Sequence, residues 1–269
     1  MSLNTSTFLN QASHQKLKRN FECLKNSQPT TSSLQGNPLQ NLQLASWEVL
    51  ENAQKSGRSK CPRCGSSRMF YCYSCYVPVE TVPTKEIPVV KLPLNIDIIK
   101  HPNETDGKST AVHAKLLAPE DVTIYTYPCI PDYEGQRHEI ALIFPGPNSV
   151  SVKDIALYLQ KHVKHISSGN GGDSSAEPCL KKAKIETKED KNLRLLQIEL
   201  KTRKTCFWRR QKGKPDTYLA TIEAIYYFLV EYHQEVLKES YKGQYDNLLF
   251  FFSFMYTLIK NAKNSAGKE

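Results

Sequence analysis

The chain has 269 residues, 39% hydrophobic and 23% charged. At roughly 150 residues per domain this makes one or two globular domains that can bury a full core. Lysine and arginine number 36 against 27 acids, for a net charge of +9, and fourteen tyrosines and ten phenylalanines supply core and stacking surface. This composition excludes a collagen, an acidic disordered protein and a disulfide mini-protein, and argues against a multispan membrane protein.

Residues 1–40 are rich in Ser, Thr, Asn and Gln and read as a disordered arm, with one short helix expected around Phe8–Leu24. Met1–Gln11 has neither a basic nor an apolar leader region, so no signal peptide is expected. The eight cysteines are then expected in a reducing compartment, nuclear or cytoplasmic, where clustered cysteines bind metal more often than they pair. Asn41–Gln54 carries Leu42, Trp47, Val49 and Leu50 at spacings that suit a short helix. The N-terminal unit is drawn at 41–77, a helix followed by the cysteine cluster.

Cys61-Pro62-Arg63-Cys64 and Cys72-Tyr73-Ser74-Cys75 are two C-x-x-C turns seven residues apart. Each offers two soft thiolates from one tight turn, and Gly65 follows the first pair, as such a turn prefers. A compact structural zinc site held by Cys61, Cys64, Cys72 and Cys75 is expected, with a short strand in Arg68–Tyr71. Four protein ligands leave no open position for chemistry. Cys23, Cys129, Cys179 and Cys206 lie apart and read as ordinary thiols.

From residue 78 the pattern becomes mixed. Ile87–Leu94 and Ile96–Ile99 read as strands, as does Val122–Tyr127. Ile140–Phe144 is a continuous apolar run ended by Pro145-Gly146-Pro147, the signature of a buried strand and a turn. Val152–His162 reads as a helix. Residues 166–192 pass through Ser167-Ser168-Gly169 and the mixed charges of Lys181–Lys191, and read as a disordered linker with a weak nuclear-localisation signal. Leu193–Leu200 reads as a strand.

Residues 201–214 hold seven basic residues and no acid: Lys201, Arg203, Lys204, Arg209, Arg210, Lys212 and Lys214. Phe207 and Trp208 sit among them. Basic groups pair with phosphates and exposed aromatics stack on unpaired bases, so this segment is the expected RNA-binding face. The competing reading is a charged loop whose aromatics anchor it to the core. Pro215-Asp216 is expected to start a helix with Leu219, Ile222, Ile225, Leu229 and Val236 on one face. Tyr245–Asn261 reads as a buried helix, and its greasiest run, Leu248–Ile259, is short of the ~20 residues that cross a bilayer. Strands with interleaved helices give an α/β or α+β class. Two weak ligand signals remain. Phe144–Pro147 follows a strand end, where open α/β sheets bind ligands. Thr217–Glu223 opens a helix, whose N-terminus favours carboxylates and phosphates.

Taken together, Cys61–Cys75, His101-Pro102-Asn103-Glu104, Phe144-Pro145-Gly146-Pro147 and Thr221-Ile222-Glu223-Ala224 occur in the order found in the DTW-domain proteins, which the chain resembles over residues 40–165 and 193–263. The resemblance implies an α/β domain over 78–263 with a knotted parallel sheet flanked by helices, an exception to the usual avoidance of knots. It implies transfer of the 3-amino-3-carboxypropyl group of S-adenosylmethionine to a tRNA uridine, with methylthioadenosine released. By motif match, Phe144, Pro145, Gly146, Pro147, Thr221, Glu223, Ala224, His101 and Glu104 would surround the donor. Arg203 and the basic segment would face tRNA or the donor carboxylate. The chain departs from the pattern in one respect. The name-giving D-x-T-W motif is missing, since the only tryptophans are Trp47 and Trp208. Its place lies between the linker and Leu193, so the sheet is expected to be short of a strand. A non-catalytic RNA-binding zinc protein is the alternative.

Overall fold

The computed structural model of the chain describes Leu39 and residues 41–133, 140–155, 157, 196–200, 203–208 and 215–266. The expected arm with its helix at Phe8–Leu24, the linker 166–192, most of the expected helix Val152–His162, and Cys23 and Cys179 lie outside the described residues.

Helix α1 (Glu48–Ser56) starts later than the sequence suggests and buries Val49, Leu50 and Ala53, one face at helical spacing. Glu48 and Glu51 in its first turn and Lys55 in its last suit the helix dipole. Gly57, at φ +82°, donates to the Ala53 carbonyl and ends it. Four two-residue strands follow as two antiparallel hairpins, β1 (Ser59–Lys60) with β2 (Ser67–Arg68) and β3 (Tyr71–Cys72) with β4 (Val77–Pro78). They carry the cysteines.

The strand expected at Ile87–Leu94 does not form. Pro88 and Pro93 remove two backbone donors that a ladder would need. The Val90 N–H instead donates to the Leu117 carbonyl at 2.7 Å and the Leu92 N–H to Asp121 Oδ2 at 2.8 Å. The next strands are where the sequence places them. β5 (Ile96–Lys100) and β6 (Val122–Thr126) pair in parallel from Ile96↔Val122 to Lys100↔Thr126. Parallel pairing needs a crossover, and helix α2 (Ala111–Leu117) supplies it, burying Ala111, Val112, His113, Ala114 and Leu117.

A second parallel pair joins β7 (Ala141–Ile143) to β8 (Leu196–Ile198), with Val150 bridged to Ile198 beyond it. Here the expectation of burial fails. Leu142 is 39% exposed and Phe144 61% exposed. The pair stands as a two-stranded sheet, and among the described residues no third strand extends β7.

Helix α3 (Thr221–Glu235) begins six residues after Pro215, and Ile222, Ile225 and Leu229 of its expected face are buried. A 3-10 turn, Asp246–Leu249, leads into α4 (Phe250–Ser265). Phe250, Phe251 and Phe252 are wholly buried, each contributing about 1.5–3 kcal/mol of transfer free energy. Among the described residues no helix is long and apolar enough to cross a membrane. Asp246 accepts from Gln43 N (2.7 Å), Tyr226 Oη (3.1 Å) and Tyr241 Oη (2.6 Å), and so ties the start of the domain to its last two helices.

Asp121 does the same for the strand layer. Its Oδ2 takes the Leu92 N–H, its Oδ1 the Lys91 ammonium at 2.7 Å, and its carbonyl the Ile96 N–H. The Leu92 backbone bond, then Lys91, hold its carboxyl below the usual range near 3.8. A depressed carboxylate contributes stability that is complete above the unfolded value and lost as pH falls through the lower folded value. Asp121→Asn is expected to cost about 1 kcal/mol at pH 7. Urea titrations should show that difference shrinking below pH 4.

Candidate functional site

The cysteine centre is built from two turns with the same backbone. In the first, Gly65 N donates to Cys61 O at 2.9 Å and Gly65 lies at φ +68°. In the second, Tyr76 N donates to Cys72 O at 2.8 Å and Tyr76 lies at φ +55°. Glycine meets that left-handed requirement without strain; a tyrosine there is uncommon. The four Sγ atoms of Cys61, Cys64, Cys72 and Cys75 lie within 4.8 Å of one another. A tetrahedral ion bound by four thiolates sets sulfur spacings of about 3.8 Å, and Cys64 and Cys72 are 3.7 Å apart. Hydrogen bonds to Ser66 draw the Cys64 thiol down to about 6, while the Cys64 sulfur beside it and burial push Cys75 up to about 12. Four sulfurs converge here, and the cluster can hold a metal ion.

The second constellation is the start of α3. Ala220 is the N-cap and has no side-chain acceptor, so the helix takes its caps from elsewhere. Thr110 Oγ1, 112 residues earlier, accepts the Ile222 N–H at 3.1 Å. Glu223, at the third helical position, reaches back to the Ala220 N–H at 2.7 Å. The same Oε2 accepts Thr205 Oγ1 at 2.6 Å, and Oε1 accepts the Cys206 N–H at 2.5 Å. Burial raises the Glu223 carboxyl above its usual value, against the pull of these three donors. Glu223 is fully buried with both oxygens engaged by protein donors, where the motif match implies a place around the donor. Its neighbours Thr221 and Ala224 are half-buried.

The same geometry places four residues of the expected RNA face, Arg203, Lys204, Phe207 and Trp208. Arg203 is buried, its Nη2 2.8 Å from Glu231 Oε1 and its guanidinium 4.9 Å over the Tyr227 ring. Phe207 and Trp208 turn inward to pack on Phe252, with ring centroids 6.5 and 5.2 Å from it. They anchor the segment to the core. Lys204 remains exposed, 3.0 Å from Asp216 Oδ2. That bond and the Thr205 N–H on the Asp216 carbonyl occupy the residue expected to cap the helix. Cys206 has its thiol pushed up to about 12 by burial and by Glu223. Lys201, Arg209, Arg210, Lys212 and Lys214 lie outside the described residues.

Two loops leave the carboxyl ends of parallel strands. After β5, His101 and Glu104 are exposed on one turn, with Glu104 N on His101 O and Asn103 N on His101 Nδ1. Lys100 pairs with Asp106 at its base. After β7, Phe144 and Pro145 are exposed, Gly146 and Pro147 follow, and Phe144 N bonds the Ile198 carbonyl. A Cβ at Gly146 would stand 2.5 Å from Gln197 Nε2, so the end of the Gln197 side chain lies close over the loop. Ser149 Oγ ties this loop to Glu199 Oε2 and to the Gly146 carbonyl, each at 2.8 Å. Thr110, Ser149 and Tyr76 were missed in the sequence because their roles are long-range or conformational. Glu223 was readable as a cap: a Glu three residues past Ala220 carries that signal once the helix is started at Thr221.

The family model of the DTW domain matches residues 69–260. The chain is 59% identical over 302 aligned positions to the tRNA-uridine aminocarboxypropyltransferase 1 of Homo sapiens, covering 100% of this chain and 98% of the relative. It is 57% identical to the protein of that name from Rattus norvegicus, covering 93% of each, and 57% identical to that from Xenopus tropicalis, covering 88% and 91%. The human alignment runs over 302 positions against 269 residues, so at least 33 of its positions have no residue of this chain. No solved structure matches. The chain belongs to the DTW-domain family.

Proposed function

We propose that the chain transfers the 3-amino-3-carboxypropyl group of S-adenosylmethionine to a uridine of tRNA, in the D-loop, forming 3-(3-amino-3-carboxypropyl)uridine and methylthioadenosine. The observation that carries this is near full-length identity of 59% to a relative named for that transfer. S-adenosylmethionine, when bound, supplies a carbon already activated by a sulfonium leaving group. The chain's task is positioning, water exclusion and removal of the uridine ring proton. The deprotonated nitrogen forms the new bond to carbon as the carbon–sulfur bond breaks onto sulfur. The donor side is assigned to the loops after β5 and β7: His101, Glu104 and Phe144–Pro147, with Thr221 and Ala224 at the start of α3. Exposed Phe144 offers a flat apolar face of the kind an adenine stacks on. The cysteine cluster is assigned a structural zinc ion, and the domain a knotted parallel sheet to which β5–β6 and β7–β8 belong.

A second reading is favoured by one observation, the 33 aligned positions with no residue here. A strand and its following helix occupy about that length. Exposed Leu142 and Phe144 in an apolar strand suit a sheet from which such a unit is missing. In this reading the chain is a non-catalytic RNA-binding zinc protein.

Nucleoside mass spectrometry of unmodified tRNA after incubation with the chain and S-adenosylmethionine separates the two. A mass gain equal to the aminocarboxypropyl group is expected on the first reading. No gain from this chain, with a gain once the missing positions are restored from a relative, supports the second. No gain from either sinks the transfer.

Metal analysis tests the zinc assignment. Cys64→Ser should drop the content from about one zinc per chain and lower the melting temperature. An unchanged content would remove the metal from the centre.

For Glu223 we propose a positioning role, supported by its burial and its three donors. Glu223→Gln places an amide NH₂ against backbone and hydroxyl donors and should cost about 1–3 kcal/mol of stability. Because burial raises its folded value, ionised Glu223 opposes folding. Its contribution to stability therefore declines as pH rises from the unfolded value near 4.5 through the folded one. Calorimetric donor affinity of the folded variant should stay within about threefold, since a lost charge-assisted contact would cost tenfold or more. Tenfold weaker donor binding with an unchanged urea midpoint would return Glu223 to the donor site.

A further inference from the structure

We infer that the cysteine centre is itself an RNA-backbone contact, through Arg58, Lys60, Arg63 and Arg68 on its outer face; this rests on the tRNA reading above. Between Asn52 and Val79 the chain carries Lys55, Arg58, Lys60, Arg63 and Arg68 and no acid. All but Arg68 are exposed.

The fold concentrates these charges. The β1–β2 register sets Lys60 opposite Ser67 and Ser59 opposite Arg68. Arg58 Nη2 and Arg68 Nη1 both donate to the Ser67 carbonyl, at 2.5 and 3.0 Å. Two guanidinium groups are thus held against one backbone oxygen. Arg63 Nη1 reaches the Cys75 carbonyl at 3.4 Å across the other turn. Arg68 also lies 4.2 Å over the Tyr73 ring, and its Nε is buried with no hydrogen-bond partner.

Several cations elsewhere in the domain are neutralised. Lys91 pairs with Asp121, Lys100 with Asp106, Lys153 with Glu235, Arg203 with Glu231 and Lys204 with Asp216. Among the described residues, no carboxylate pairs with the five basic residues of the centre. Even with a divalent ion on four thiolates, which carries about −2, the patch keeps about +3. Convergent, unpaired guanidinium groups beside a stacked tyrosine fit phosphates and unpaired bases.

The test is tRNA binding by the full chain over a salt series, comparing wild type with Arg58→Glu, Lys60→Glu and Arg63→Glu combined. At least tenfold weaker binding near 0.15 M salt is expected. The slope of log affinity against log salt should fall by about two to three, one per lost phosphate contact at ~0.7–0.9 each. Zinc content should be unchanged, and Lys238→Glu, in the loop after α3, should leave affinity and slope as they are. If the triple variant loses its metal, the neutral pair Lys60→Gln with Arg63→Gln should still flatten the slope by about one to two. Wild-type affinity and slope in the charge-reversal variants would overturn the inference, as would weakening with no change in slope. A wild-type chain that binds no tRNA would overturn the tRNA reading itself.

Discussion

One carboxylate organises the part of the molecule that the sequence makes hardest to read. Glu223 takes a backbone N–H from its own helix start, a hydroxyl and a backbone N–H from residues 205–206. It does so from full burial. Removing such a group from water costs several kcal/mol unless its oxygens are satisfied. The three donors offset that cost, and in doing so fix where residues 205–206 run. Arg203 then meets Glu231, and Phe207 and Trp208 meet Phe252. The course of residues 203–208 is thus tied to one buried acid.

That explains why composition leaves two readings open at residues 203–208 and makes the cluster at 61–75 plain. A density of arginine beside tryptophan describes an RNA face and a core-anchored loop equally well. Only a distant partner separates them, and Glu223 and Glu231 are distant in sequence. The cysteine turns specify themselves locally: each spacing closes its own turn, and the second turn accepts Tyr76 at positive φ in place of glycine. Strands Ile96–Lys100 and Val122–Thr126 were legible for a related reason, since β-branched residues and a short crossover helix agree on one parallel unit. Ile87–Leu94 was not, because its two prolines outweigh its valines and isoleucine in a ladder. The start of α3 was misplaced because its caps, Thr110 and Glu223, are respectively remote and inside the helix.

The ends of the domain are held by the same principle at Asp246. Tyr226, Tyr241 and Gln43 converge on it, and Asn247 Oδ1 takes the Ala45 N–H at 2.8 Å one residue further on. These bonds clamp the segment before α1 to the turn before α4. Tyr71 continues the chain of contacts from the cysteine centre: its hydroxyl lies 2.7 Å from His113 Nε2 and its ring packs on Phe251. Burial holds the His113 imidazole neutral, with its value pushed down to about 3, so the link between centre and core carries no charge to desolvate at neutral pH. The centre is therefore mounted on the core by tyrosine, histidine and phenylalanine, and its cations are left to face outward.

β7 shows the opposite situation. Ala141, Leu142 and Ile143, with Phe144 after them, are residues suited to a strand covered on both faces, yet Leu142 and Phe144 are exposed. Parallel sheets are rarely stable as bare pairs, because each strand then keeps an unpaired backbone edge and an uncovered face. Against a relative named for catalysis, at least 33 aligned positions have no residue of this chain. The cysteine centre is carried instead by Tyr71, His113 and Phe251, contacts that do not pass through β7, so the two parts of the domain rest on separate supports.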